Sequence, residues 1–131
     1  MTVFVDTSAW YAALDADDEY HARARRVFAG LRESGERLVT HNYVVVESVA
    51  LMDRRLHKTD VARFVAGLLP AADIEWIQPS LHDVALAAYL DARSRASLVD
   101  HVSFALMRAR GITTAFAFDA DFAAQGFASI S

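Results

Sequence analysis

Two uninterrupted apolar runs in this chain each end on an aspartate: TVFVD at residues 2–6 and TTAFAFD at 113–119. A strand that is apolar at nearly every position has no face to give to water. It must be covered on both sides, as strands of a parallel sheet between helices are. What lies between the two runs must therefore supply helices on both faces and the remaining strands.

The intervening sequence does so. Residues 8–14 read as a short helix, and the acidic run Asp15, Asp17, Asp18, Glu19 as a loop leading to the next helix. Residues 20–34 form an amphipathic helix with Ala24, Val27, Phe28 and Leu31 on one face. Gly35 ends it. Leu38–Thr40 is a short strand, after which Asn42 can cap a helix over about 43–57. Another helix starts at Thr59 or Asp60 and stops before Pro70. Pro70 and Pro79 bracket a strand, with Ile74, Trp76 and Ile77 as its apolar positions. Residues 81–93 are helical with Val84, Ala88 and Leu81 inward, and a helix from about Val99 to Arg110 ends at Gly111. A last short helix covers 120–125. The alternation predicts an α/β sandwich with a central, mostly parallel sheet, in which ligands bind beyond the carboxyl ends of the strands.

At 131 residues and 54% hydrophobic, the chain suits one globular domain over residues 1–131. No apolar run approaches a membrane span, and no basic segment with an apolar core opens the chain. The absence of cysteine excludes disulfides and thiolate metal sites and fits a cytoplasmic location. The net charge of −4 argues against binding nucleic acid through bulk charge alone. Twelve of the thirteen basic residues are arginine and only Lys58 is lysine. A GC-rich coding sequence explains that bias, and arginine's planar fork also suits phosphate.

Four carboxylates stand apart from the rest. Asp6 and Asp119 each end a strand and precede a short helix. Each alone reads as an N-cap, but together they would share one edge of the sheet. Glu47 lies in YVVVESVAL, where its helical neighbours Tyr43, Val44, Ala50 and Leu51 offer no cation. Asp100, in SLVDHVSF, has Ala96, Ser97, Ser103 and Phe104 around it. It reads equally as a first-turn acid favoured by the helix dipole. Four acids from four elements at one edge cannot all stay ionised unaided. A divalent cation resolves the repulsion, and all-oxygen ligation suits Mg²⁺ or Mn²⁺. Such ions activate water and clamp phosphoryl oxygens, so the pattern points to phosphodiester hydrolysis.

The succession VFVDTSAW, NYVVVES, SLVDHVSF and AFAFDADF resembles the PIN-domain ribonucleases, and among them the VapC-type toxins of bacterial toxin–antitoxin pairs. The resemblance runs from the first strand to Gly126-Phe127. It implies a PIN-like three-layer α/β/α sandwich and an acidic Mg²⁺ or Mn²⁺ pocket built from Asp6, Glu47, Asp100 and Asp119. Asp6 and Asp100 would be the principal metal ligands, Glu47 and Asp119 would complete the pocket, and Ser8 would support Asp6. It further implies an RNA substrate, a homodimer, and a cognate VapB-type antitoxin whose tail enters the site. The chain departs from the family at Ala117, where a threonine or serine often stands two residues before the fourth acid. Asp121 is a candidate to compensate, and His101 reads as packed or solvent-facing.

Two other readings compete. A receiver-type or dehalogenase-like domain also ends a strand on aspartate, but it needs a late lysine. The only lysine here is mid-chain, and Ser8 stands where a second aspartate would be. A PIN-like binding module with weak or no activity is the other. For a nuclease, the candidate phosphate-binding cations are Arg23, Arg25 and Arg26, with Arg93 and Arg95 before Asp100. All five are equally explained as helix-surface residues.

Overall fold

A computed structural model of the chain describes residues 1–131. Five strands, β1 (Thr2–Val5), β2 (Arg37–His41), β3 (Ala72–Glu75), β4 (Thr114–Phe116) and β5 (Ala128–Ile130), form one sheet in the order β3-β2-β1-β4-β5. Every pairing is parallel. The helices are α1 (Thr7–Leu14), α2 (His21–Glu33), α3 (Asn42–Arg55), α4 (Lys58–Arg63), α5 (Pro79–Asp91), α6 (Leu98–Arg110) and α7 (Asp121–Ala124).

The chain winds outward from β1 to β3, then returns past β1 to β4 and β5. Right-handed crossovers therefore put α1–α4 on one face and α5–α7 on the other. The aromatic core divides the same way. On the first face Trp10 stacks on Phe28 at 5.2 Å and meets Phe64 edge-on, while Phe28 meets Phe116 of β4. On the second, Phe4 of β1 packs on Phe122, which meets Phe104 of α6. Phe4 thus faces the second layer while Val5, in register with Phe116, faces the first, as a period of two requires. Val3, Phe4 and Val5 are fully buried. The result is the three-layer α/β/α sandwich expected, with a sheet that is parallel throughout. The winding reverses between β1 and β4, and the crevice such a reversal opens lies beyond their carboxyl ends.

Several local expectations are corrected. The cap of α3 is His41, not Asn42: its Nδ1 accepts from the N–H groups of Tyr43 and Val44 at 3.1 and 3.2 Å. Asn42 instead accepts from the Ile77 N–H at 2.7 Å, tying α3 to the segment after β3. The inward face of α5 is Ala85, with Leu81 half-buried, whereas Val84 is 60% exposed and Ala88 also faces outward. A helix reading VALAAYL is apolar nearly all round, so periodicity leaves its rotation open. Here Tyr89, meeting the His101 ring edge-on, helps fix it. Beyond α4 the backbone widens into a π-helical turn at Phe64–Leu68 and tightens at Leu69–Ala71, where Pro70 has no N–H to continue the helix. Trp76 lies past the end of β3 and is 73% exposed. The edge strand β5 was not expected. Gly35 and Gly111 do end their helices, at φ 68° and 66°. At Gly111 the Ile112 N–H reaches back to Met107 O at 2.8 Å, closing a Schellman turn.

His41 joins three layers. Its ring is fully buried and stacks on Phe4 at 5.5 Å, and Nε2 lies 2.8 Å from Ser103 Oγ. Ser103 donates onward to Val99 O at 3.0 Å. Nδ1 accepts two N–H groups, so the proton sits on Nε2 and is donated to Ser103. Burial pushes the imidazole down to about 3. Because the folded value lies below the ordinary 6.5, the stability held by neutral His41 is complete above 6.5 and is lost as pH falls toward 3. Long-range ¹⁵N NMR should show the Nε2–H tautomer unchanged from pH 7 to pH 5. A titration centred near 6.5 would refute this arrangement.

Candidate metal centre

Three carboxylates meet at the crevice. Asp6 follows the last residue of β1, Asp119 lies just beyond β4, and Asp100 is in the first turn of α6. One carboxylate oxygen from each lies within 4.8 Å of the others. None has a Lys, Arg or His partner within ion-pair distance. The sheet topology creates this meeting, because β1 and β4 are neighbours although more than a hundred residues separate them.

Each carboxylate is held by one oxygen through a short local contact. Asp6 caps α1: its Oδ2 accepts from the Ser8 N–H at 3.2 Å and from Ser8 Oγ at 2.7 Å. Ser8 Oγ in turn accepts from the Phe118 N–H at 3.0 Å. This chain of hydrogen bonds joins the ends of β1 and β4 and sets the distance between their acids. Asp100 forms a reciprocal box with Ser97, its Oδ2 accepting from the Ser97 N–H at 2.9 Å while Ser97 Oγ accepts from the Asp100 N–H at 3.1 Å. Asp119 Oδ1 accepts from the Asp121 N–H at 3.0 Å. In each case one oxygen shapes the turn and the other has no hydrogen-bond partner in the protein.

The electrostatics record the cost. Asp6 is 3% exposed. Burial, then the Asp119 and Asp100 charges, push its carboxyl up to about 8, against the lowering effect of Ser8. Asp100 is pushed up to about 6, chiefly by burial, with Asp119 and Asp121 adding repulsion. Two or more carboxylates sharing a site cannot all ionise without a compensating cation.

Glu47 stands outside this close group. It is half-buried, has no cation partner, and lines an open cavity of about 460 Å³ with Asn42, Tyr43, Val46 and Val99. Val99 is the residue before Asp100, but none of Asp6, Asp100 and Asp119 lines this cavity. Ala117 is 1% exposed and packs in the core, and the orientation of Asp119 is set by Asp121 rather than by a hydroxyl at position 117. His101 is buried against Tyr89 and Phe104. Sequence reasoning missed Ser97, although Ser-x-x-Asp before an apolar helix is a capping-box signature.

The donor set fits a hard divalent ion. Oxygen ligands sharing an octahedral ion at about 2.0–2.1 Å lie about 3–4 Å apart, and the three acids here lie within 4.8 Å of one another. The carboxylates come from three elements and lack any protein cation. Thiolate or imidazole donors, which would favour softer metals, are absent from the group.

Comparison with known proteins identifies the family. The PIN domain model matches residues 3–128. The 23S rRNA-specific endonuclease VapC20 of Mycobacterium tuberculosis, from strains CDC 1551 and H37Rv, is 36% identical over 130 residues. The match spans 98% of this chain and 97% of the relative. The crystal structure of M. tuberculosis VapC20, described as a sarcin–ricin loop cleaving toxin, superposes with a TM-score of 0.89 at 33% identity and covers 98% of both chains. From β1 to β5, the chain belongs to the PIN-domain family and, within it, to the VapC-type toxins.

Proposed function

We propose that this protein is a Mg²⁺- or Mn²⁺-dependent endoribonuclease whose substrate is 23S ribosomal RNA at the sarcin–ricin loop. The observation that carries the reading is the convergence of Asp6, Asp100 and Asp119, unpaired and held by local contacts, in a chain of this family. The relative's cleavage of 23S rRNA supplies the substrate. Asp6 and Asp100 are the principal ligands, Asp119 is a third, and Glu47 approaches from α3 to complete the pocket. The whole chain acts as one PIN domain in the cytoplasm, as a homodimer silenced by a VapB-type antitoxin.

A bound divalent ion supplies Lewis acidity toward the phosphate and lowers the pKa of water. The protein's own residues arrange the rest. Ser8 fixes one oxygen of Asp6 and, through Phe118, the separation of the two strand ends. Ser97 fixes one oxygen of Asp100, and the Asp121 N–H fixes one oxygen of Asp119. Preset ligands avoid an ordering cost when the site is filled.

Asp6→Asn or Asp100→Asn should each reduce Mg²⁺-dependent cleavage of a sarcin–ricin RNA by more than ~100-fold, the upper end of what loss of an outer-shell partner costs. Ser8→Ala should lose about 10-fold or more. Cleavage undiminished in both aspartate variants would sink the reading.

Proton linkage gives an independent check. Folded Asp6 holds its proton up to about 8 against an ordinary 3.8. Its contribution to stability is therefore complete below 3.8 and is lost as pH rises toward 8. In EDTA, Asp6→Asn should gain more stability over wild type at pH 8 than at pH 5, as read from urea midpoints. Mn²⁺ affinity should rise between pH 6 and pH 8 as the carboxylates release their protons. A pH-independent affinity would remove Asp6 from the ligand set.

A further inference from the structure

An aromatic and cationic stack stands beside the acidic crevice. Phe118, the residue before Asp119, lies against the Tyr20 ring with centroids 4.7 Å apart and planes at 9°. Arg23, in the first turn of α2, sets its guanidinium carbon 5.7 Å from the Tyr20 centroid and 5.9 Å from that of Phe118. Phe118 is also the residue whose N–H bonds to Ser8 Oγ, the hydroxyl that holds Asp6. The guanidinium is thus registered to the acids through two rings and one backbone amide.

The arginine is held but not consumed. It is exposed and forms no ion pair, unlike Arg37, Arg63 and Arg110, which pair with Asp73, Asp60 and Glu75. Arg25 and Arg32, on other faces of α2, line a separate cavity of about 520 Å³ beside the π-helical turn. A cluster of three carboxylates in a chain of net charge −4 repels RNA. A cation at the rim offsets this only if it stays clear of the carboxylates. Contact with the ring pair engages none of the five N–H donors of the planar fork and reduces the rotamer freedom lost on binding. Phosphate accepts such a fork bidentately.

We propose that Arg23, seated on the Tyr20–Phe118 stack, binds a backbone phosphate of the RNA strand flanking the bond that is cleaved. This rests on the ribonuclease reading and adds to it the positioning of the strand.

The test is binding of a short, fluorescently labelled single-stranded RNA in EDTA, followed by anisotropy over a range of salt concentrations. Arg23→Ala should weaken binding by about tenfold, the scale of one hydrogen-bonded ionic contact. It should also make the slope of log affinity against log salt shallower by about 0.7, one phosphate's worth for a single strand. Arg23→Lys should keep the slope and lose part of the affinity. Tyr20→Leu, which removes the platform and leaves the charge, should fall between wild type and Arg23→Ala. Mn²⁺ affinity at wild-type level in each variant would establish that the acidic cluster is intact. Wild-type RNA affinity and slope in Arg23→Ala, or no RNA binding by the wild type, would overturn the proposal. A wild type that binds RNA with this Arg23-dependent slope yet fails to cleave it in Mg²⁺ or Mn²⁺ would overturn the ribonuclease reading and leave the phosphate contact standing.

Discussion

The hydrogen-bond chain from the Phe118 amide through Ser8 Oγ to Asp6 Oδ2 is the contact on which the crevice depends. Parallel pairing of β1 with β4 brings the strand ends together, but pairing alone leaves the chain free to diverge after the last ladder bond. The Asp6 N–H still reaches Phe116 O at 3.0 Å. One step further out, Ser8 takes over as the bridge. A single hydroxyl therefore donates to the buried acid, accepts from the opposite strand, and fixes where Phe118 and Asp119 leave the sheet.

Repulsion within the crevice and stability of the surrounding sandwich oppose one another. Val3, Phe4, Val5 and Trp10 are fully buried around Asp6, and each large apolar side chain contributes roughly 1.5–3 kcal/mol on burial. That core holds in place a carboxyl which burial and its neighbours would prefer to keep protonated. The fold carries a local cost where its three acids meet, as functional sites commonly do.

Much of this was legible in the sequence because its signals are local. VFVD states a buried strand running directly into its acid, whereas the strand in AFAFD stops at Phe116, short of Asp119, and the lack of nearby cations around Asp100 and Glu47 could be read from their helical neighbours. The fold class follows from strands alternating with helices. What was not legible depends on tertiary partners. Imidazole is an uncommon cap, so nothing in THNYVV singles out His41 over Asn42; its selection rests on Phe4 and Ser103, distant in the chain. The rotation of α5 could not be read from a helix apolar on most sides. The three residues of β5 are too few to carry an alternating pattern, and their ladder is supplied by β4. Among the arginines, only the stacking of Tyr20 on Phe118 distinguishes Arg23 from its neighbours on α2.

The neutral cap on α3 limits which sequences this architecture tolerates. By helix preference alone, aspartate at position 41 would cap better than histidine. It would, however, place another buried negative charge at the end of β2, the strand next to the one that delivers Asp6, and raise further the repulsion already present there. An imidazole held neutral satisfies the same two amides without adding to the field. A redesign that optimised each helix end separately would then strengthen α3 at the cost of burying a charge where the structure holds a neutral ring.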